Sequence, residues 1–309
     1  MGSVPAVSLC CAVSPGPIAP VVAEAITTAG GELVDVEEAE ALIWSDPSDA
    51  EGLADLLALR SEIRWVQLPF AGVDRFSALF GDGRTWTSTK GAYSEPVAEH
   101  ALALGLAGLR QLPSRARAKT WGRQAGTRLT GSRVTVVGGG GITEALLRLL
   151  APFHVDTTVV RRHVAPIEGA SRVVGPDELH DALGGALLVF LALALTPETA
   201  GIIGGTELDR MDDHTWLVNV ARGAHVVTDD LMDALRNRSI GGAALDVTDP
   251  EPLPDGHPLW TLDNCLVTPH TANTRQMAEP LFAERVGANV RRRLRNEPLL
   301  GLVDPALGY

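Results

Sequence analysis

The sequence predicts an α/β protein with two doubly wound parallel-sheet domains and a cleft between them. Three observations lead to this fold class. Short apolar runs alternate with helical stretches along the whole chain, which is the rhythm of βαβ units. A glycine-rich turn at 138–141 joins one apolar run directly to a helix. The 309 residues are enough for two domains of ordinary size.

The order of the elements follows from the apolar pattern. The runs expected to form strands are 7–13, 42–45, 64–69, 133–137, 157–160, 187–193, 215–220, 242–247 and 264–268. The stretches expected to form helices are 18–29, 50–59, 96–109, 141–150, 229–236 and 277–295. This alternation argues for doubly wound parallel sheets.

A domain boundary is expected near Pro96. The segment TWTSTKGAYSE before it is polar and strand-poor, and the helix PVAEHALALGLAGL after it has proline in its first turn. The apolar tail LLGLVDPALGY is expected to pack back on the first domain. The sequence therefore predicts one domain from residues 1–95 plus 278–309 and a second domain from residues 96–277.

Composition limits the function classes. The formal net charge of −12 and the pI near 5.1 argue against nucleic acid or an anionic membrane surface as partner. Cys10, Cys11 and Cys265 form no CxxC pair, so neither a disulfide framework nor a metal site is expected. The run VPAVSLCCAV lacks a basic flank and indicates a buried strand, and no apolar run is long enough to span a membrane. A reducing cytoplasm is the expected location.

The glycine turn is a candidate phosphate-binding loop. Strand RVTVV leads into GGGGITEALLRLL, with Gly138 and Gly140 in the first two positions of a GxGxxG pattern. The first glycine allows a tight turn, and the second lets a pyrophosphate approach the backbone at a helix N-terminus. Thr143 stands where the third glycine is usual, so a glycine-rich turn without a ligand remains an alternative.

The next strand ends in an arginine pair. A fold that prefers NAD carries an acidic residue there to bind the ribose hydroxyls. Here Arg161 and Arg162 follow TTVV, and arginine suits the 2′-phosphate of NADP. The sequence therefore favours NADP, with NAD possible, and a solvated basic turn is the alternative.

Three residues in the C-terminal third suggest the chemistry. Arg222, Glu251 and His270 each follow an apolar run that ends in polar or turn-forming residues. Strands of this kind deliver side chains to one sheet edge. A cation, a carboxylate and an imidazole at one edge suit a site in which Arg222 holds an anionic substrate and Glu251 tunes His270 as a proton donor or acceptor.

The motifs around these residues resemble a known family. LTPET, LVNVARG, AALDVTDPEPLP, HPLW and VTPH occur in order after FAGVD and PVAEHALAL. Together they are similar to the D-isomer-specific 2-hydroxyacid dehydrogenases, over nearly the whole chain from about residue 41. The resemblance implies a flavodoxin-like substrate domain, a Rossmann cofactor domain and a homodimer formed through the latter. It also implies reduction of a 2-keto acid, which needs a hydride at C2 and a proton at the oxygen. In that reaction His270 would give the proton, Glu251 would favour the protonated imidazole, and Arg222 would hold the carboxylate and the carbonyl oxygen.

The resemblance assigns further residues. Backbone N–H groups of Phe70, Ala71 and Gly72 would bind the substrate carboxylate, together with Arg222. The implied cofactor contacts come from the glycine turn, the arginine pair and the ends of the later strands: Gly138, Gly140, Gly141, Ile142, Arg161, Arg162, Val220, Ala221, Asp246 and Asn273. Asp246 could equally be a strand-end carboxylate that accepts backbone N–H bonds. His100 is expected at a domain or subunit contact.

Several functions compete. A reductase of glyoxylate or hydroxypyruvate is favoured, because such enzymes are among the short members of the family. A 3-phosphoglycerate dehydrogenase would need extra basic groups, and formate dehydrogenases carry Gln where Glu251 stands. A cofactor-sensing corepressor on the same fold is the alternative from another class, and a degenerate paralogue is a third, suggested by Thr143. Turnover of a 2-keto acid separates an enzyme from a sensor.

Overall fold

The structure is a computed structural model that describes residues 8–307. Within this range the chain divides into two compact units, with boundaries between Tyr93 and Ser94 and between Thr274 and Arg275. The sequence placed these changes at 95/96 and 277/278. Both observed changes fall where a long helix begins, so the first unit is built from two separate stretches of chain.

The first unit contains a parallel sheet with strand order β2-β1-β3-β4-β5. Its strands are β1 (Cys10–Val13), β2 (Glu32–Leu33), β3 (Ala41–Ile43), β4 (Trp65–Gln67) and β5 (Thr85–Thr87). Its helices are α1 (Ala19–Thr28), α2 (Ala50–Leu59) and, from the C-terminal stretch, α9 (Arg275–Leu294). The sequence expected the first strand to begin at Val7, which lies outside the described residues.

Both faces of this sheet are covered by helices. Alternate residues of β3 point to opposite sides, with Ile43 in a core that also contains Val22 of α1 and Phe282 of α9. Leu42 lies in the opposite core with Leu53 of α2. Strand order 2-1-3-4-5 with helices on both faces is the doubly wound arrangement of flavodoxin-like folds.

The second unit contains a larger parallel sheet with strand order β12-β11-β10-β9-β6-β7-β8. Its strands are β6 (Arg133–Val137), β7 (Asp156–Val160), β8 (Arg172–Val174), β9 (Leu188–Leu191), β10 (Trp216–Asn219), β11 (Gly242–Leu245) and β12 (Cys265–Val267). Its helices are α3 (Ser94–Leu109), α4 (Leu112–Arg117), α5 (Gly141–Leu150), α6 (Leu179–Leu183), α7 (Gly205–Leu208) and α8 (Thr228–Asn237). The order reverses between β6 and β9, as in a Rossmann fold, which confirms the predicted fold class of two parallel α/β sheets.

The polar segment before the boundary was wrongly expected to be strand-poor. Thr85–Thr87 forms β5 at the edge of the first sheet, with Trp86 and Thr87 buried. The C-terminal tail then pairs with this edge: Ser88 N–H donates to the Gly301 carbonyl at 2.8 Å, and Val303 N–H donates to the Trp86 carbonyl at 3.0 Å. The tail therefore packs on the first unit as the sequence predicted. It supplies backbone hydrogen bonds to the edge at β5, which the polar composition of this segment did not indicate.

Candidate active site

The predicted catalytic residues follow neighbouring strands of the second sheet. Arg222 comes after β10, Glu251 after β11 and His270 after β12, and these three strands are adjacent. Because all the strands are parallel, their carboxyl ends meet at one edge of the sheet. The structure therefore brings the three residues to a common edge of the second unit.

Glu251 and His270 are in direct contact. The His270 Nδ1 atom lies 2.7 Å from a Glu251 carboxylate oxygen. Both side chains are partly exposed, His270 at 50% and Glu251 at 38%. A carboxylate that accepts from Nδ1 fixes the ring orientation and leaves Nε2 as the nitrogen that can donate to another molecule. The pair has the geometry of an oriented proton donor.

The backbone of Arg222 is held from two sides. The Asn219 side chain donates to the Arg222 carbonyl at 2.8 Å and accepts from the Ala221 N–H at 3.0 Å. The fully buried His225 accepts the Arg222 N–H at Nδ1, over 3.1 Å, and its Nε2 lies 3.3 Å from the Ala194 carbonyl oxygen. Sequence reasoning missed Asn219 and His225. Two polar residues inside the buried run LVNVARGAH were the available signal.

Asp246 directly follows β11 and holds the turn that carries His270 (residues 268–273, the His270 turn) against the sheet. Its side chain is 2% exposed. One carboxylate oxygen accepts from the Thr268 hydroxyl at 2.6 Å and the Thr271 N–H at 2.9 Å, and the other accepts from the Ala272 N–H at 2.9 Å. The Asp246 carbonyl also accepts from the His270 N–H at 2.8 Å. The carboxylate has the backbone-binding role that the sequence allowed as an alternative, while its cofactor contact stays a prediction.

His100 contributes to the same cluster. Its Nε2 lies 3.2 Å from the Asp246 carboxylate and 3.1 Å from the Thr268 hydroxyl. Burial alone would raise the pKa of Asp246, but hydrogen bonds from His100, Thr268 and the 271–272 backbone outweigh it and lower that pKa to about 2. The His100 ring therefore binds the carboxylate that holds the turn carrying His270, and its expected contact with another domain or subunit stays a prediction.

The glycine turn has the shape that a pyrophosphate requires. Gly138 has φ +115°, and a Cβ atom there would lie 2.1 Å from the Ala192 carbonyl oxygen, so only glycine fits. A Cβ at Gly140 would meet no atom within 4 Å, which leaves open space in front of the helix. Gly141 and Ile142 begin α5, whose N-terminus has no side-chain cap. These residues fit a dinucleotide, whose phosphates would accept from the uncapped N–H groups.

Thr143, in the third glycine position, is accommodated within the turn. Its side chain is fully buried, and its hydroxyl donates to the Gly138 carbonyl at 3.0 Å. Thr143 thus stabilises the turn through this hydrogen bond. Because the turn accommodates a threonine here, the missing third glycine is not by itself a sign of a degenerate motif.

The two arginines after β7 differ in their surroundings. The stem of Arg161 lies over the glycine turn, since a Cβ on Gly139 would lie 2.7 Å from Arg161 Cδ. Arg162 is exposed. The pKa of the nearby Glu198 carboxyl is lowered mainly by a hydrogen bond from Thr196, and the positive charge of Arg162 also contributes. The structure therefore places the Arg161 side chain beside the glycine turn, and its contact with a cofactor phosphate stays a prediction.

The remaining predicted residues occupy three places. Val220 and Ala221 are buried directly after β10. Asn273 lies in the His270 turn, and its Oδ1 is buried without a hydrogen-bond partner among the described residues. Phe70, Ala71 and Gly72 follow β4 in the first unit, where the Phe70 ring is 44% exposed and lines a cavity of about 320 Å³. Their contact with substrate stays a prediction.

Other kinds of site find little support in residues 8–307. No cluster of three or more His, Cys, Asp or Glu side chains there could hold a metal ion. In the same range, no helix combines the length and apolar character needed to cross a membrane. Burial raises the pKa of both Cys11 and Cys265 to about 12, so neither thiol is suited to act as a nucleophile.

Comparison with known proteins establishes the family. The sequence model of the D-isomer specific 2-hydroxyacid dehydrogenase NAD binding domain matches residues 101–272, more than half of the chain. The chain belongs to the D-isomer specific 2-hydroxyacid dehydrogenase family, which confirms the resemblance in its motifs. It is accordingly an NAD(P)-dependent oxidoreductase.

The chain is also similar to individual proteins and to solved structures. A Corynebacterium melassecola protein, known as an uncharacterized protein in the proB 3′ region, is 38% identical over 259 residues, which cover 81% of this chain and 85% of the relative. Glyoxylate/hydroxypyruvate reductase A of Serratia proteamaculans is 32% identical over 177 residues, covering 57% and 56%. The crystal structure of a D-isomer specific 2-hydroxyacid dehydrogenase from Xanthobacter autotrophicus Py2 in complex with NADPH and MES is 30% identical, with a TM-score of 0.84 and coverage of 97% and 99%.

Proposed function

We propose that this protein reduces a small 2-keto acid of the glyoxylate or hydroxypyruvate type to the D-2-hydroxy acid, with NADPH as the preferred cofactor and His270 as the proton donor. The observation that carries the proposal is the contact of 2.7 Å between Glu251 and His270 at the carboxyl edge of the second sheet. Similarity to glyoxylate/hydroxypyruvate reductase A and to a structure that contains NADPH supports the substrate and cofactor classes.

The chain's own groups divide the work of the reaction. Bound NADPH supplies the hydride that adds to the keto carbon. His270 donates a proton from Nε2 to the keto oxygen, while Glu251 holds the ring through Nδ1. Arg222, whose backbone is fixed by Asn219 and His225, binds the substrate carboxylate and stabilises negative charge that develops on the oxygen. The N–H groups of residues 70–72 would add further ligands for the carboxylate.

The preference for NADPH is assigned mainly to Arg161. Its Cδ and Nε atoms would lie 2.7 and 2.8 Å from a Cβ atom on Gly139, so the Arg161 side chain runs beside the glycine turn. A guanidinium binds a phosphate through charge-assisted hydrogen bonds that a ribose hydroxyl cannot match. Arg161→Asp should move the ratio of kcat/KM for NADPH over NADH toward NADH by about 10- to 100-fold. An unchanged ratio would show that another group selects the cofactor.

The decisive test compares substrates and a His270 variant. Initial rates of NADPH oxidation with glyoxylate, hydroxypyruvate, pyruvate and phenylpyruvate identify the substrate class. His270→Ala should lower kcat by roughly 10²- to 10⁴-fold while NADPH binding, followed by fluorescence, is retained. His257→Ala is a matched control, because the ring of this histidine accepts the Leu259 N–H at 3.3 Å within its own loop. Wild-type turnover by His270→Ala contradicts the proton-donor role, and NADPH binding without turnover of any keto acid contradicts the proposed substrates and favours a sensor.

Assembly and location complete the proposal. A homodimer formed through the second unit is supported by the resemblance and by two large apolar side chains at its surface, Trp121 (94% exposed) and Leu112 (53% exposed). A cytoplasmic location is supported by the free state of Cys10, Cys11 and Cys265. Light scattering coupled to gel filtration tests the dimer, and Trp121→Ser should shift the protein toward monomer.

A further inference from the structure

A cavity of about 320 Å³ lies at the carboxyl edge of the first sheet. Its walls are the loops that follow β1 (residues 15–18), β3 (residues 45–47) and β4 (residues 69–70), together with Tyr93 and the first turns of α9. All of these residues belong to the first unit. The strand order of this sheet reverses between β1 and β3, and open α/β sheets bind their ligands in the crevice at such a reversal.

The wall of this cavity is mainly apolar. Each of the three loops contributes proline, which has no backbone N–H to donate: Pro15 and Pro17 after β1, Pro47 after β3 and Pro69 after β4. Phe70 and Phe282 add two aromatic side chains. A wall of this composition binds an apolar group better than a hydrogen-bonding one.

The uncharged polar side chains of the wall are bonded within the chain. The Ser45 hydroxyl donates to the Ser14 carbonyl at 3.2 Å and lies 2.9 Å from the Ser14 hydroxyl. The Tyr93 hydroxyl donates to the Pro69 carbonyl at 2.8 Å. Because these groups already have partners, they add little demand for a polar ligand.

The charged side chains that line the cavity are bonded in the same way. Asp46 accepts from the Ser48 N–H at 2.8 Å and from the Ser48 hydroxyl at 2.7 Å. Arg275 Nε donates to the Glu279 carboxylate at 2.6 Å, and the Arg275 side chain is 59% exposed. A ligand group that enters the cavity therefore meets carbon atoms and polar groups that are already paired.

Phe70 connects this cavity to the proposed substrate loop. In the proposed function, the N–H groups of residues 70–72 bind the substrate carboxylate, and Phe70 also lines the cavity. The side chain of a 2-keto acid is attached to C2, which is bonded directly to the carboxyl carbon. A carboxylate bound by this loop would therefore bring the start of the substrate side chain next to the cavity.

The size of the cavity indicates what that side chain is. An apolar cavity of about 150 Å³ is enough to hold a benzene ring. The observed volume of about 320 Å³ therefore has room for a phenyl or branched aliphatic group. The methyl group of pyruvate would leave most of this volume unfilled.

We propose that this cavity binds the side chain of the substrate and selects 2-keto acids that carry a phenyl or branched aliphatic group. The inference rests on the proposed function and extends its substrate class from small keto acids to those with a larger apolar side chain. Hydride and proton still go to the keto group, while residues of the cavity wall, such as Pro47 and Phe282, discriminate between side chains.

The first measurement compares phenylpyruvate and 4-methyl-2-oxopentanoate with pyruvate at saturating NADPH. The wild-type kcat/KM should be about 10- to 100-fold higher for phenylpyruvate than for pyruvate, because the ring moves from water to an apolar wall. A phenylpyruvate-to-pyruvate ratio of one or less overturns the inference. Turnover of glyoxylate in the same assay would then leave the proposed function intact.

Variants that fill the cavity test its location. Ala278 lines the cavity from α9 and is 9% exposed, so Ala278→Phe should lower the phenylpyruvate-to-pyruvate ratio to about one. Pro47→Phe should do the same from the loop after β3, and it serves as the test if Ala278→Phe does not fold. Met277→Phe adds a ring at a half-exposed position of the same helix and should keep the wild-type ratio. A wild-type ratio in a folded cavity variant overturns the inference.

A binding measurement tests the cavity without turnover. 3-Phenylpropionate and propionate have no keto group, so neither can be reduced. Calorimetry in the presence of NADPH should give a Kd at least tenfold lower for 3-phenylpropionate, and Ala278→Phe should remove the difference. Equal Kd values in wild type overturn the inference. If the difference is found but no keto acid is reduced, the cavity is confirmed as an apolar subsite for carboxylates and the proposed reaction alone fails.

Discussion

Replacing Asp246 by Asn should lower the free energy of unfolding of the second unit by an amount that follows from the pKa of this carboxylate. The carboxylate is held by His100, Thr268 and the 271–272 backbone, and its pKa is about 2 instead of 3.8. At about 1.36 kcal/mol per pH unit, this difference corresponds to roughly 2.5 kcal/mol of folding free energy at neutral pH. Asn would also place an NH₂ donor against groups that are themselves donors, so the loss should be at least this large.

The same difference predicts a pH window. Because the folded pKa lies below the unfolded value, the contribution of Asp246 is fully present above about pH 5 and is lost progressively as the pH falls through the folded pKa of about 2. Urea unfolding of the full chain, followed by circular dichroism between pH 2 and 7, should show a difference between wild type and Asp246→Asn that shrinks across this window. Asp255→Asn, at an exposed loop position, is the control and should match wild type.

Two results would refute this reasoning. A loss of less than about 1 kcal/mol at pH 7 would show that the hydrogen bonds to the carboxylate do not offset the cost of its burial. A difference between the two proteins that is constant from pH 7 to pH 2 would show that the loss comes from packing and not from the charge.

Substitutions at three further positions probe the glycine turn and the histidine that contacts Asp246. Thr143→Gly should lower the free energy of unfolding by about 1–3 kcal/mol, because it removes a buried hydroxyl bonded to Gly138, and calorimetric titration should show no tighter NADPH binding. Gly139→Ala should displace Arg161 and weaken NADPH about tenfold with little effect on NADH; equal weakening of both would place the damage in the turn itself. His100→Leu should lower kcat about 5- to 30-fold and His100→Gln should retain more of it, whereas identical values would exclude a hydrogen-bonding role.

Much of the fold could be predicted because local pattern and long-range packing agree. Strand β6 and helix α5 have the predicted bounds, since the buried run and the glycine turn define both ends within the local sequence. The strands β2, β5 and β8 were missed because each has only two or three residues and lies at the edge of its sheet, so its local apolar pattern is too short to indicate a strand. Thr85–Thr87 is the clearest case, since the tail that completes this edge lies more than two hundred positions later.

Site residues that lie in a local sequence motif could be predicted. Contacts between residues far apart in the chain could not. Arg222, Glu251 and His270 each follow a recognisable strand, so their common edge follows from parallel topology. The contact of His100 with Thr268 spans 168 positions and leaves no mark in either local sequence. The buried Asn273 acceptor likewise becomes visible only when burial is known atom by atom.

The division of the first unit between two stretches of chain has a consequence for biosynthesis. The second unit is translated as one continuous stretch, so it can fold while α9 and the tail are still to be made. The first unit cannot complete its folding at that stage, because Phe282 and Val286 of α9 fill its core and the tail covers the edge at β5. Until those segments emerge from the ribosome, the nascent chain exposes an apolar sheet face and an unpaired strand edge. The dehydrogenase is thus most open to misassembly and chaperone binding in the interval between completion of its two units.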